Sequence, residues 1–275
     1  MRRWLLIYKY FIDAYWIFIA QNEKQLFEGR LITGGSRGIG RACAKLFSNL
    51  NANVIITYKS NFEEAKLTLD LLNNTQNHSL YQLDLSKPED IRQVFQQVVE
   101  KHERLDVLVN NAGVFIEHKI DQVSFEEWQM AWHETMTTNL TGVSNLCYFA
   151  ARQMIKQNRG KIVNISSRGA FRGEPDHPAY AASKAGLNAM SQSLAVALGK
   201  FNITVGVVAP GFVETDMAAP YLKSEAGGLV KKQSPLNRVA TPEEVARLVA
   251  VFASEGLEFM TGGIVDLNGA SYLRT

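Results

Sequence analysis

Tyr180 and Lys184 stand four residues apart in the run Tyr-Ala-Ala-Ser-Lys. On a helix that spacing puts both side chains on one face, an ammonium beneath a phenol. A neighbouring cation favours the phenolate and draws down a pKa that starts near about 10. The pair then reads as a proton donor and acceptor usable near neutral pH. The spacing alone is a weak signal, since most such pairs merely decorate a helix. It gains weight from Ser167, thirteen residues upstream, and from Asn139 further back. Ser166 competes for the serine role. The distance to Tyr180 favours Ser167, and strand alternation turns the two hydroxyls to opposite sides.

A second constellation lies near the start of the chain, where Leu-Ile-Thr-Gly-Gly-Ser-Arg-Gly-Ile-Gly-Arg fills residues 31–41. Gly34, Gly38 and Gly40 are spaced G-x-x-x-G-x-G between a strand pattern and a helical one. Glycines let a backbone approach a pyrophosphate closely, and the helix start offers free N–H groups and positive potential. Gly34, Ser36, Arg37, Gly38, Ile39 and Gly40 are therefore the expected phosphate cradle. No Gly-Lys-Ser/Thr follows, which disfavours a kinase-type loop. A tight strand-to-helix turn without a ligand is the competing reading.

Coenzyme choice rests on the end of the second strand. An acidic residue there binds the ribose 2′-hydroxyl of NAD. The chain reads Thr57-Tyr58-Lys59-Ser60-Asn61, with no acid until Glu63. Arg37 and Lys59 together can neutralise a 2′-phosphate. NADP(H) is favoured over NAD(H).

The elements that must position these groups follow from the hydrophobic pattern. Short apolar strands are predicted at 31–33, 54–58, 79–83, 107–110, 162–165, 204–208 and 264–267. Helical patterns fall near 39–50, 62–74, 88–103, 125–157, 179–199 and 242–254. Apolar strands alternating with helices indicate an α/β fold: a Rossmann-like doubly wound parallel sheet of about seven strands with helices on both faces. With 275 residues, 46% hydrophobic and 20% charged, the chain has core enough for one large domain, expected over residues 25–275. A net charge of +2 gives no electrostatic case for nucleic acid. Cys43 and Cys147 lie far apart in apolar helical patterns and read as packed, reduced thiols in a cytoplasmic protein. The five histidines form no ligand-spaced cluster, so no metal is expected.

Taken in order, Thr33-Gly34-x-x-x-Gly38-x-Gly40, Asp84-Leu85, Asn110-Asn111-Ala112-Gly113, Asn139, Ser167, Tyr180-x-x-x-Lys184 and Pro210-Gly211-x-x-x-Thr215 resemble the short-chain dehydrogenase/reductase family. The resemblance covers residues 25–275 and leans towards the branch containing 3-oxoacyl-[acyl-carrier-protein] reductases. It implies a catalytic set of Asn139, Ser167, Tyr180 and Lys184. It further implies that Asp84 and Leu85 contact the adenine, and Asn111, with Ala112 and Gly113, the adenosine ribose side. Val213 and Thr215, after Pro210 and Gly211, should hold the nicotinamide carboxamide. Lys184 should also bond the nicotinamide ribose, and Asn139 should interrupt its helix and hold a water. Hydride attack leaves negative charge on a carbonyl oxygen; Ser167 would stabilise it and Tyr180 protonate it. A homotetramer paired through 125–157 and 179–199, with a second contact at 263–275, is also implied.

The expected substrate is a small carbonyl or secondary alcohol. A 3-oxoacyl group on acyl-carrier protein is the alternative, and a non-catalytic dinucleotide-sensing protein the reading from another class. Residues 168–178 and 216–233 should build the substrate pocket, the latter as a mobile lid around Gly227-Gly228. Phe171, Phe212 and Tyr221 suit an apolar slot; Arg172 and Glu174 suit a polar substrate. Arg152, Lys156, Arg159 and Lys161 are a candidate docking patch for an acidic carrier. Phe201 stands where those reductases carry a basic residue.

Residues 1–24 lie outside the family pattern. Apolar residues 4–20 are broken by Lys9 and Asp13 and fall short of the roughly 20 needed to span a bilayer. An extra helix on the domain or at a subunit contact, or a misassigned start codon, fits better than a membrane anchor. The first strand looks two residues short, which puts Gly29 and Arg30 where a central strand wants apolar side chains. A buried Arg30 without a partner would be costly.

Overall fold

In the computed structural model, residues 29–73, 78–224 and 227–274 are described. The N-terminal extension lies outside them. Seven strands form one parallel sheet: β1 (Gly29–Ile32), β2 (Asn53–Tyr58), β3 (Ser79–Gln82), β4 (Val107–Asn110), β5 (Gly160–Ile165), β6 (Ile203–Pro210) and β7 (Ile264–Leu267). Their order across the sheet is β3-β2-β1-β4-β5-β6-β7. The connecting helices are α1 (Gly38–Asn49), α2 (Phe62–Asp70), α3 (Pro88–His102), α4 (Phe125–Met136), α5 (Gly142–Gln157), a short α6 (Gly169–Arg172) and the long α7 (Pro178–Leu198). Two short helices, α8 (Ala219–Lys223) and α9 (Gly227–Lys232), precede α10 (Pro242–Ala253).

Alternation along each strand splits the core in two. Ile32, Ile56, Val109 and Val163 face Cys43, Phe47, Val245 and Val249 of α1 and α10. Leu31, Ile55, Leu108 and Ile162 face Phe95, Leu146, Met154 and Leu187 on the other side. Both sheet faces are thus covered, which is why the strands read as apolar throughout. From β1 the chain runs outward to β3, then returns to lay β4 against the free side of β1. That reversal opens a crevice at the carboxyl ends of β1 and β4.

The two odd residues before Leu31 are built into the first strand. Arg30 pairs in register with Val54 on one side and Val107 on the other. It is buried, with its guanidinium 4.4 Å from the Phe47 ring centroid, so a cation–π contact accompanies the burial. Gly29 is required where it stands: a Cβ there would lie 2.5 Å from the Arg104 carbonyl oxygen. Its N–H donates to Asp106 Oδ2 at 3.1 Å, and Asp106 N donates back to Gly29 O at 2.8 Å.

The pattern at 125–157 reads as a single helix, but the structure divides it. Between α4 and α5 lies a π-helical turn, Thr137–Thr141, carrying Asn139 at its centre. Among the described residues no helix is long and apolar enough to cross a membrane, and no group of three or more His, Cys, Asp or Glu side chains could hold a metal ion.

Candidate active site

A cavity of about 560 Å³ runs along the crevice. One end is lined by the glycine turn and by Lys59 and Asp84, the other by Ser167, Tyr180, Phe212 and Tyr221. The turn after β1 is built for close approach. Gly34 and Gly38 have φ of 64° and 53°, a region that favours glycine. Gly40 does not line the cavity; it packs under the loop, where a Cβ would overlap the Gly34 carbonyl. Asn111 clamps the turn from β4, its Nδ2 donating to Thr33 O at 2.9 Å and Gly34 O at 3.1 Å. Thr33 Oγ1 accepts from the N–H groups of Asn111 and Ala112, both at 3.0 Å. Asn111 thus lines the cavity while its amide serves the loop.

The end beside the glycine turn carries both signs of charge. Lys59 Nζ lies 3.4 Å from Asp84 Oδ2, and Arg37 Nη1 lies 3.5 Å from Asp216 Oδ2. Burial opposes ionisation of Asp84, but bonds from Ser86 and the Lys59 ammonium outweigh it and hold the carboxyl below its usual range. Ser36, Ile39, Leu85, Gly113, Pro210, Gly211, Val213 and Thr215 also line the cavity.

At the other end, β5 delivers Ser166 and Ser167. The Ser166 hydroxyl points back to Lys184 O at 3.4 Å, while Ser167 lines the cavity close enough to Tyr180 to bear on its phenol, the opposite orientations that alternation predicts. The Ser167 Oγ also accepts from Gly169 N at 3.0 Å. Tyr180 sits in the first turn of α7, with Phe115 edge-on at 4.7 Å between ring centroids. Lys184 follows one turn later.

The electrostatics depart from the sequence expectation. Burial pushes the Tyr180 phenol up to about 12, against the bond from Ser167 and with the Glu174 charge adding to the rise. Lys184, also buried, is pushed down to about 8. Its Nζ donates to Ile165 O at 2.8 Å and lies 5.7 Å from the Tyr180 ring centroid. At neutral pH the phenol is therefore held protonated, and the ammonium does not draw its pKa down. Desolvation outweighs a cation whose hydrogen bond is spent on a carbonyl.

Asn139 stands behind the cavity wall. Its Oδ1 accepts from Val114 N at 2.8 Å and its Nδ2 donates to Val114 O at 2.9 Å. A side-chain amide thus pairs with both backbone groups of one residue like a strand neighbour, and Nδ2 also reaches Ser183 Oγ at 3.3 Å. The π-turn aims Asn139 at Val114, next to Phe115.

Phe115, and the contacts that tie the expected pocket residues together, escaped the sequence reading. Phe115 stacks on His177 with centroids 3.6 Å apart, and His177 Nε2 meets the Tyr221 hydroxyl at 3.0 Å. Arg168, buried one residue after Ser167, donates to Gln233 Oε1 at 2.6 Å and to Ser271 Oγ, and lies over the Phe212 ring at 5.1 Å. The position of Phe115, two residues past Gly113 at the mouth of β4, was the available signal. Phe171, expected in the apolar slot, instead lies under Arg274 at 4.2 Å. The basic patch is also reduced. Lys161 is buried, its Nζ bonded to Ser254 O at 2.6 Å, and Arg159 pairs with Glu255.

The cavity fits a dinucleotide. Its glycines leave space that a Cβ would close, two cations stand at the adenosine end, and the hydroxyl pair waits at the other. A family model described as Enoyl-(Acyl carrier protein) reductase matches residues 34–269. The fold and site are those of an oxidoreductase acting on a CH–OH group, and the chain belongs to the short-chain dehydrogenase/reductase family. Among its relatives, the 3-oxoacyl-[acyl-carrier-protein] reductase FabG of Aquifex aeolicus is 37% identical over 244 residues, covering 88% of this chain and 96% of that protein. The enzyme of the same name from Escherichia coli is 36% identical over 249 residues, covering 90% and 99%. The crystal structure of acetoin dehydrogenase YohF from Salmonella typhimurium superposes with a TM-score of 0.78 at 30% identity, covering 90% and 97%.

Proposed function

We propose that the protein is an NADP(H)-dependent oxidoreductase that transfers hydride between the nicotinamide and a carbonyl or secondary alcohol, with Tyr180 as general acid and base. The convergence of the Ser167 and Tyr180 hydroxyls in a cavity continuous with the glycine cradle carries the reading. The dinucleotide supplies the hydride when bound. Arg37 and Lys59 would hold its 2′-phosphate, the Gly34–Gly38 turn its pyrophosphate, and Val213 with Thr215 its carboxamide.

The chain's own work is one proton and one developing charge. Ser167 donates to the oxygen that becomes negative, and Tyr180 gives it a proton; in reverse, Tyr180 takes the alcohol proton. With its phenol pushed up to about 12, Tyr180 carries at neutral pH the proton that reduction consumes. Lys184 supports the coenzyme ribose and the proton path. Asn139 positions the Val114–Phe115 wall.

A second reading, reduction of a 3-oxoacyl group on acyl-carrier protein, is favoured by relatives that bear that name at 36–37% identity over nearly their whole length. A cytoplasmic homotetramer is part of the proposal. It is supported by the buried free thiols of Cys43 and Cys147 and by exposed Phe125, Met130, Tyr148, Val196 and Phe259.

The test is NADPH and NADH oxidation across a carbonyl panel that includes a 3-oxoacyl thioester, with Tyr180→Phe as control. Turnover with NADPH that is lost in Tyr180→Phe is expected. Coenzyme binding with no carbonyl reduced would make the protein a sensor instead.

A further inference from the structure

Glu174 is an ionisable side chain inside the substrate end of the cavity that the reaction does not require. It follows Gly173, whose φ of 77° turns the chain back over α6. The carboxylate folds across Gly169, where a Cβ would lie 2.8 Å from both its Cγ and its Oε1. Its side chain keeps 15% exposure and lines the same cavity as Ser167 and Tyr180. Arg172 Nη2 reaches its Oε2 at 3.4 Å, from the rim. Among the hydrogen bonds of the described residues, Oε1 accepts none.

A buried cation stands close to that carboxylate. Arg168 is buried beside it and bonded to two neutral oxygens, on Gln233 and Ser271, so its field acts on Glu174 without closing an ion pair. The Glu174 charge is felt by Tyr180, Tyr221 and Arg168, which places it among the groups that surround a bound substrate. The remaining walls are aromatic, Phe115, Phe212 and Tyr221. A carboxylate oxygen in such a place needs a donor, and leaving it against an alkyl group costs its hydration.

We infer that Glu174 determines specificity: it accepts a hydrogen bond from a hydroxyl near the reacting carbon, so the preferred substrates are small hydroxylated ketones or aldehydes rather than unsubstituted alkyl ones. This rests on the proposed function and narrows its substrate class. The Ser167–Tyr180 pair takes the carbonyl oxygen, Glu174 takes the neighbouring hydroxyl, and the aromatic rings cover the carbon skeleton. A site built around a substrate hydroxyl discriminates strongly against the analogue that lacks it, because its own polar group is then left unpaired.

The experiment compares isosteric pairs in NADPH-dependent reduction: hydroxyacetone with butanone, and methyl hydroxyethyl ketone with methyl propyl ketone. In at least one pair, kcat/KM should favour the hydroxyketone by roughly 10- to 100-fold, the range of one charge-assisted hydrogen bond. Glu174→Met should bring that ratio close to unity through loss on the hydroxyketone, and Glu174→Gln, which keeps an acceptor, should fall between. Misfolding lowers both members of a pair alike and leaves the ratio unmoved, so the ratio separates specificity from stability. Equal constants in both pairs, or a ratio untouched by Glu174→Met, overturns the inference. It is equally overturned if other carbonyls are reduced while neither pair is, an outcome that leaves the proposed function standing. Failure of every carbonyl defeats both.

Discussion

Asn139→Ala tests whether a side-chain amide is holding the wall of the active site. The substitution removes two hydrogen bonds to the backbone of a single residue, at Val114 N (2.8 Å) and Val114 O (2.9 Å). Asn139 itself is fully buried, so the two backbone groups lose partners in a place water reaches poorly. Each such group costs about 1–3 kcal/mol, which puts the loss of stability at about 2–6 kcal/mol. Ser183→Ala is the matched control. It removes the longer contact to Asn139 Nδ2 at 3.3 Å and the bond its hydroxyl donates to Tyr180 O at 2.7 Å but leaves the Val114 pair intact, and should cost about 1 kcal/mol. Urea unfolding followed by tryptophan fluorescence reads both values, with the slope checked for constancy. Activity should separate them further. Val114 precedes Phe115, whose ring packs edge-on against Tyr180, so freeing Val114 displaces the wall beside the proton donor. A shift of about 1 Å there lowers kcat by roughly 100-fold, while coenzyme affinity stays close to that of the parent. A stability loss for Asn139→Ala below about 0.5 kcal/mol, or one matched by Ser183→Ala, would refute the reasoning.

Other outcomes follow from the same geometry. Lys184 protonates at about 8 in the fold against an ordinary 10.5, so between those values the unfolded chain binds more protons and stability rises with pH. The penalty is fully present below about 8; Lys184→Met should lack a rise of up to about 3 kcal/mol, read as unfolding free energy against pH. Tyr180 has the opposite sign above its ordinary 10, in parent and variant alike. Gly40→Ala drives a Cβ into the Gly34 carbonyl and should abolish NADPH binding in a fluorescence titration while far-ultraviolet dichroism stays unchanged. Arg37→Leu removes a cation from the adenosine end and should weaken NADPH roughly 10- to 100-fold with little effect on NADH. Equal weakening of both coenzymes would remove Arg37 from 2′-phosphate recognition.

What could be read from sequence was whatever local chemistry fixes. Glycines that no side chain can replace marked the loop, and uninterrupted apolar strands marked a sheet covered on both faces. The place of Gly29 and Arg30 in the first strand was legible too, because register follows from where the glycine turn must fall. The Phe47 ring beneath Arg30 was not, since it comes from a helix packed on the sheet. The same limit explains the phenol. Spacing placed Lys184 below Tyr180, but only packing shows the ammonium bonded to Ile165 O and both groups desolvated. Phe115, and the contacts of His177, escaped for a related reason. The two rings meet Tyr180 and Tyr221 through contacts between loops from different strands, and no periodicity records that. Arg168 was placed in the pocket segment, but not its bonds, because its partners, Gln233 and Ser271, lie 65 and 103 residues further along.

The π-turn at Thr137–Thr141 amounts to one surplus residue in an otherwise regular rod from Phe125 to Gln157. Removing that residue would restore even winding and leave the sheet, the coenzyme loop and the hydroxyl pair in place. It would also remove the wide turn that carries Asn139 and take its amide out of reach of Val114. A lineage can therefore gain or forfeit the positioning amide by a single-codon insertion or deletion, with no change to any residue that touches substrate.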